Sequence, residues 1–455
     1  MPQSSKINDY LTVVCEQIRW QKAHDIIAGE IKDHIIDQKD FFVTEGLDEE
    51  TATEKAIFEM GDPVLVGGEL DRTHRPKVEW SIIIFTGIAL ALRFIIQIAI
   101  TSDIYVPGGL AKSLMYTMFG IVIMTAAYYI DFTIIGKYPM TVFSGFIILT
   151  LGAAFISPTI NGYRIYIPFL LLLFPTVFAG IIYSMRSKGY LGIVLSGILT
   201  LVPVPLGMLA TRITGIAPSV ICLILMTLAI VKGWFHVKNK VLAALLTYIP
   251  AALAAMYFLF FLVVKAPYAM QRILCSLNPS LDPMNHGYMG TVIRDLLQGA
   301  RFFGEGKMSV PLPVEKVLPE IHSDTLLTYL IHRFGWISFI VIFVVVTIFI
   351  VRAFVICSRQ KSILGTLVAV SVLLAFTMQV VLFFIFNLGL PVVSMVALPL
   401  VSFNGTATII NMLLIGILLS VFKSGDIVRD KLIISSSRKN KRLEFTEGKI
   451  IINLN

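Results

Sequence analysis

The chain has 455 residues, of which 56% are hydrophobic and only 15% charged, with a mean hydropathy of +0.82. Soluble domains carry about 25% charged residues, so the composition excludes a purely soluble enzyme, a disordered regulator and a coiled coil, and points to an all-α protein that crosses a membrane many times. Four cysteines exclude a disulfide scaffold, and the net charge of +8 divides into −8 over residues 1–79 and +16 over the remainder.

Residues 1–79 are a separate kind of material. They open with Met1-Pro2-Gln3-Ser4-Ser5 and lack the apolar stretch and cleavage site of a signal peptide. Ile7, Leu11, Val14 and Ile18 recur at helical spacing, as do Ile27, Ile31 and Ile35. Gly46 breaks the pattern, Asp48 reads as an N-cap with Glu49 and Glu50 in the first turn, and Gly61 follows the end. Pro63 starts a last short piece, and Arg75-Pro76-Lys77 leads to the membrane. A small cytoplasmic helical domain is expected, serving as a docking or sensing module or as a cap that aids folding. Through Asp33-His34-Ile35 and Met60-Gly61-Asp62-Pro63 it resembles the prefix domain found before some bacterial permeases and membrane sensors. No metal-ligand spacing surrounds His24 or His34.

Residues 80–422 read as ten spans, at 81–100, 113–130, 140–157, 165–184, 190–208, 214–232, 241–264, 326–351, 364–386 and 392–422. One set of alternate loops holds Lys137, Arg186, Lys188, Lys232, Lys238, Lys240, Arg352, Arg359 and Lys361; the other holds only Lys112, Arg164 and Arg212. The first set is expected inside, which places both termini in the cytoplasm. Residues 423–455 form a basic tail with Arg438, Lys439, Lys441 and Arg442, a topology or lipid-headgroup signal rather than a nucleic-acid site. No sustained internal repeat supports an inverted-repeat transporter.

This topology leaves one long outside segment, 265–325, with a varied composition. Six of the eight acidic residues between 80 and 422 lie in it: Asp282, Asp295, Glu305, Glu315, Glu320 and Asp324. Asp103 and Asp131 sit at span ends, and no carboxylate lies deep in an apolar run, which argues against an ion-coupled transporter. Arg93 is the one basic residue in the body of a span, either a functional site or a guanidinium bonded to a neighbouring helix.

The resemblance that organises these features lies mostly in the C-terminal half. The run Gln271-Arg272-Ile273-Leu274, Leu277-Asn278-Pro279, Asp282-Pro283, Gly287-Tyr288 is similar to the outer-loop opening of the SEDS family (shape, elongation, division and sporulation), the group of RodA, FtsW and SpoVE. Gly299, Phe303-Gly304 and Gly306-Lys307 resemble its loop centre, and Leu318-Pro319-Glu320-Ile321-His322-Ser323-Asp324 its LPExHTD stretch. Asn387-Leu388-Gly389-Leu390-Pro391 and Leu398-Pro399-Leu400-Val401-Ser402-Phe403-Asn404-Gly405-Thr406 are similar to its final signature. Span two, from Lys112 to Asp131, also fits.

The resemblance implies a peptidoglycan glycosyltransferase in the bacterial cell membrane, using lipid II, an undecaprenyl-pyrophosphate-linked disaccharide, and working with a class B penicillin-binding transpeptidase. Asp324 is the implied catalytic base; the bare position offers the alternative that Ser323 or Asp324 caps the following helix. Arg272, Asn278, Glu320, His322, Ser402, Gly405 and Arg93 are the candidate substrate-binding residues, with Arg294, Arg301 and Lys307 as further partners for pyrophosphate; for each of Arg272, Arg294, Arg301 and Lys307 the competing reading is a solvated basic loop face. For Ser402, Asn404 and Gly405 the competing reading is close helix packing. No cofactor is implied, a divalent cation is left open, and contact is expected with membrane lipids and not with nucleic acid. The chain also departs from the family. Its usual PSE-x-x-K pattern is met by Pro175-Thr176-Val177-Phe178-Ala179-Gly180, without either charge, and Asn404 replaces the first of two glycines. A non-catalytic scaffold for cell-wall enzymes and a precursor flippase are therefore the alternative readings.

Overall fold

The computed structural model describes all residues except 1–2, 76–77, 102–108, 161–162, 212, 310–312, 393–396, 425–442, 447–448 and 453–455. Asp103, Arg212 and the tail cluster Arg438, Lys439, Lys441 and Arg442 lie outside the described residues. The chain divides into two compact units, the first built on Met1–Glu79 and the second on the helices that begin at Trp80.

The first unit contains α1 (Gln3–Gln17), α2 (His24–Thr44), α3 (Glu49–Glu59) and α4 (Pro63–His74). Its core is made by the two periodic runs of the sequence: Ile7, Leu11, Val14 and Ile18 meet Ile27, Ile31 and Ile35, and Ala52 and Ala56 of α3 close over them. The helix ends follow local chemistry. Asp48 accepts the Thr51 N–H at 3.1 Å, and Asp62 accepts the Val64 N–H at 2.7 Å with Pro63 in the first turn.

The second unit starts with α5 (Trp80–Ile100), α6 (Gly109–Tyr129), α7 (Thr133–Lys137) and α8 (Pro139–Ile156). It continues through α9 (Tyr166–Leu170), α10 (Phe174–Met185), α11 (Gly189–Leu199), α12 (Pro203–Gly207), α13 (Ile216–Val231) and α14 (Lys240–Lys265). The long connection is substantially helical, with α15 (Pro267–Leu277), α16 (Tyr288–Gln298), α17 (Val314–Val317) and α18 (Leu326–Phe334). Three long helices complete the unit, α19 (Trp336–Cys357), α20 (Ile363–Asn387) and α21 (Gly405–Ser424). Among the described residues the strands are two short antiparallel pairs, Thr159–Ile160 with Tyr163–Arg164 and Leu443–Thr446 with Lys449–Ile452.

This is a multi-pass membrane protein. Among the described residues eight stretches are long and apolar enough to cross a bilayer. One of them, Tyr166–Gly207, is 42 residues long and joins two expected spans through a 3-10 turn at Arg186–Lys188. The 16 residues of α13 make the remaining, shorter piece. α20 is buried on most of its circumference, with α10 against it and a Ser371 Oγ to Thr176 Oγ1 hydrogen bond of 3.1 Å between them. α8, α14 and α19 instead turn Ile148, Phe155, Tyr257 and Phe354 outward, as lipid-facing helices must.

Two expected spans are corrected. Among the described residues of the run 392–422, helix begins at Gly405. Pro391 and Pro399 oppose an earlier start, Leu400 has a φ of 65°, and Asn404 caps α21 by accepting the Ala407 N–H at 3.0 Å. The run 326–351 is split at Gly335, whose φ of 92° and ψ of 175° are open only to glycine. A Cβ there would lie 2.5 Å from the Phe302 carbonyl oxygen. α18 is thereby a separate short helix ahead of the membrane helix α19. Gly335→Ala is expected to destabilise this corner by about 1–3 kcal/mol, read as a lower Tm in detergent; an unchanged Tm would show that the break is not enforced there.

Candidate active site

The candidate site is the turn 318–325. Leu318 and Ile321 are buried and pin it from below, packing in one cluster with Ile96 and Ile100 of α5 and Ile293 and Leu296 of α16. Between these anchors the chain reverses sharply. Glu320 has a φ of 52°, and its carbonyl accepts the N–H groups of Ser323 at 3.0 Å and Thr325 at 3.3 Å. Thr325 occupies the N-cap of α18, so neither Ser323 nor Asp324 holds that position. Its hydroxyl donates to the Pro319 carbonyl at 2.7 Å instead of capping.

The back of the turn is held by residues distant in sequence. Three consecutive carbonyls, those of His322, Ser323 and Asp324, accept hydrogen bonds from Phe403 N–H at 3.0 Å, Ser402 Oγ at 3.2 Å and Asn387 Nδ2 at 2.8 Å. Ser402 Oγ in turn accepts the Leu398 N–H at 2.9 Å. Ser402 is thus occupied with two backbone partners, and its role here is to join the 398–403 segment to the turn.

The front of the turn carries the carboxylates and the imidazole. Asp324 and His322 are half-buried and Glu320 is exposed. His322 Nε2 lies 3.3 Å from Glu320 Oε2. The Ser323 hydroxyl lies 3.1 Å from Asp324 Oδ1 and 3.4 Å from Glu320 Oε2, so one donor sits between two carboxylates. A half-buried carboxylate on a rigid turn, with a hydroxyl and an imidazole–carboxylate pair beside it, is suited to accept a proton from a substrate hydroxyl.

The other candidates fall into two groups. Arg93 is fully buried, donating to Thr408 Oγ1 at 2.5 Å and Ser113 Oγ at 2.9 Å, with its guanidinium 5.9 Å from the Phe403 ring. It fastens α5 to α6 and α21 beside Phe403. Gly405 begins α21 where a Cβ would stand 2.5 Å from the Tyr116 ring, so the glycine admits α6 at close range. Arg272 lies on α15 and Asn278 at its end, a helix joined to the segment after α20 by Ser276 Oγ to Pro391 O at 3.0 Å. Burial lowers the Arg272 pKa from its ordinary value. Arg294, expected to meet pyrophosphate, donates to the carbonyls of Gly389 at 3.0 Å and Leu277 at 3.1 Å and so ties the long connection to the same segment. Beneath α15 lies an apolar cavity of about 340 Å³, lined by Phe169, Ile213, Ile273, Met378, Leu382 and Ala397 among others.

Asn387 belongs to the final signature without a role evident from it, and Thr325 and Thr328 carry no motif signal. A signal was present: Asn387 closes an apolar run of more than twenty residues, where an amide needs a reason.

Comparison with known proteins places this arrangement. The family model described as "Cell cycle protein", covering FtsW, RodA and SpoVE, matches residues 80–426. The chain belongs to the FtsW, RodA and SpoVE family. It is 30% identical over 175 residues to a probable peptidoglycan glycosyltransferase FtsW of Trichlorobacter lovleyi, covering 38% of this chain and 45% of that protein. It is 28% identical over 159 residues to the peptidoglycan glycosyltransferase MrdB of Escherichia coli, covering 34% and 42%. These aligned stretches span less than half of each relative. A chain from a solved peptidoglycan synthase complex shares the fold, with a TM-score of 0.57 at 18% identity over 76% of this chain and 98% of that one.

The family's missing charge pair has a structural counterpart. A Cβ on Gly180 would lie 2.3 Å from the Ile135 carbonyl oxygen, and Val177 is buried. The backbone of α10 has closed onto the residues of α7 where the family carries a lysine. Gly180→Lys is therefore expected to lower accumulation in the membrane, and normal accumulation would contradict this packing.

His332, on α18, is buried, and its Nδ1 has no hydrogen-bond partner among the described residues. Burial lowers its pKa below the ordinary 6.5, against an opposing pull from Glu305. A lowered value favours the neutral ring in the folded state, so its contribution to stability is present above pH 6.5 and is lost as pH falls below that value. Limited proteolysis of residues 299–337 should accelerate between pH 7.5 and 5.5 in the wild type and less in His332→Gln; equal acceleration in both would contradict the assignment.

Proposed function

We propose that this chain is a glycosyltransferase that polymerises peptidoglycan glycan strands from lipid II at the outer face of the bacterial membrane. The observation that carries the reading is the turn 318–325, where the family's LPExHTD stretch becomes a clamped loop presenting Asp324. The base takes the proton of the acceptor sugar hydroxyl. The freed oxygen forms a bond to the anomeric carbon of the donor, and the bond from that carbon to pyrophosphate breaks, releasing undecaprenyl pyrophosphate. Glu320 and His322 orient the base or bind sugar hydroxyls. Arg272 approaches the pyrophosphate, and Asn278 lines the approach beside it. The scheme needs no cofactor. The apolar cavity beneath α15 suits a hydrocarbon chain of the carrier lipid, because its lining offers almost no polar surface.

The names of the relatives support the activity. The solved neighbour, described as coordinating polymerization and crosslinking, supports a class B penicillin-binding transpeptidase as partner. The Lys and Arg bias of the loops supports both termini in the cytoplasm and 265–325 outside. A scaffold role is favoured by one observation, the closed packing at Gly180 where the family carries charge.

Two experiments test the reading. Asp324→Asn should lower glycan polymerisation by about 10²–10⁴-fold with expression and lipid II binding retained; polymer at the wild-type rate would remove the central residue. For orientation, Met284 is 83% exposed and Cys275 is buried, so the site to label is Met284→Cys. A membrane-impermeant thiol reagent should modify it in intact cells, and labelling only after lysis would invert the topology.

A further inference from the structure

Asn387 stands at the end of α20 with no exposed surface, and its side-chain amide makes contacts at both ends. Nδ2 donates to the carbonyls of Asp324 at 2.8 Å and Phe383 at 2.9 Å. Oδ1 accepts the Thr328 N–H at 3.0 Å and the Thr328 hydroxyl at 2.9 Å. Thr328 is the third residue of α18, so Oδ1 supplies, from another helix, the cap that Thr325 does not make. One planar amide therefore holds the Asp324–Thr325 peptide by its carbonyl and the first turn of α18 by Thr328.

We infer that Asn387 is a positioning residue for Asp324, setting where its carboxylate stands relative to the membrane; this rests on the proposed glycosyltransferase activity. The carboxylate leaves the same Cα whose carbonyl Asn387 holds, so a rotation of that peptide moves the base. The last turn of α20 is a firm mount, because Phe383 and Phe386 beside Asn387 are buried. A capping duty alone needs only the acceptor Oδ1. The donor contact to Asp324 is the part that reaches the base, and reacting groups displaced by about 1 Å can lose about 10²-fold in rate.

The test uses the full-length protein in nanodiscs with fluorescent lipid II, scored for kcat and KM per folded molecule. Asn387→Ala should lower kcat about 10²-fold with KM little changed. Asn387→Leu keeps the volume but has no donor for the Asp324 carbonyl, and it should show the same split if the Ala variant does not fold. Ser420→Ala is the structural control. It removes another buried side chain that clamps backbone, at 2.8 Å to Ile130 O and 3.3 Å from Phe132 N, near the far end of α21, and should keep the wild-type kcat. A wild-type kcat in the folded Leu variant, or an equal fall in Ser420→Ala, overturns the inference while the glycosyltransferase reading stands. A wild type that makes no polymer, or an Asp324→Asn variant that makes as much as wild type, overturns the reading itself and the inference with it.

Discussion

Three consecutive backbone carbonyls, at His322, Ser323 and Asp324, are held by three groups from the C-terminal part of the chain, and the candidate site depends on that clamp. Leu318 and Ile321 anchor one side of the turn in the apolar cluster, whereas Pro319 and Glu320 are exposed. Its other side is held by hydrogen bonds made where water is excluded. Such bonds are costly to leave unmade. The same clamp explains why α20 ends in Asn387 and why the helix α21 is delayed to Gly405. The intervening segment is used to reach the turn.

A second layer supports the first. Arg93 brings α5, α6 and α21 together through two hydroxyls, with the Phe403 ring nearby, and the Phe403 N–H is one of the three clamping donors. A guanidinium in a span is expensive to bury, and here its hydrogen bonds go to side chains of α6 and of α21, the helix that follows the clamping residues Ser402 and Phe403. Arg294 does the corresponding work on the other side by joining Gly389 and Leu277. Basic residues that read in sequence as anion ligands are thus partly committed to architecture.

Much of this was legible in the sequence. Helical periodicity at Ile7 to Ile18 and Ile27 to Ile35 gave the core of the first unit, because amphipathic spacing is a local property. The apolar runs gave the membrane helices for the same reason. The breaks at Gly335 and before Gly405 are marked in the sequence only by His332-Arg333 and by Pro399, Ser402 and Asn404 inside otherwise apolar runs; they are set by a backbone conformation open only to glycine and by a cap at Asn404. At the site, the motif drew attention to Asp324, Glu320 and His322. It did not show that Asn387, 63 residues from Asp324, completes the turn. Pairings of that kind are tertiary, and the sequence shows only a signature asparagine at the end of an apolar run. The departure at Gly180 reads in sequence as a lost charge and in the structure as a filled contact with Ile135.

The central claim is that the clamped turn meets the lipid-linked sugar. The most direct measurement is photocrosslinking with a lipid II analogue carrying a diazirine on the disaccharide, followed by peptide mapping of the membrane-embedded protein. Crosslinks concentrated on residues 318–325, with others on 398–405, are the predicted result. Crosslinks that avoid 318–325 while labelling other parts of the membrane unit would contradict the account.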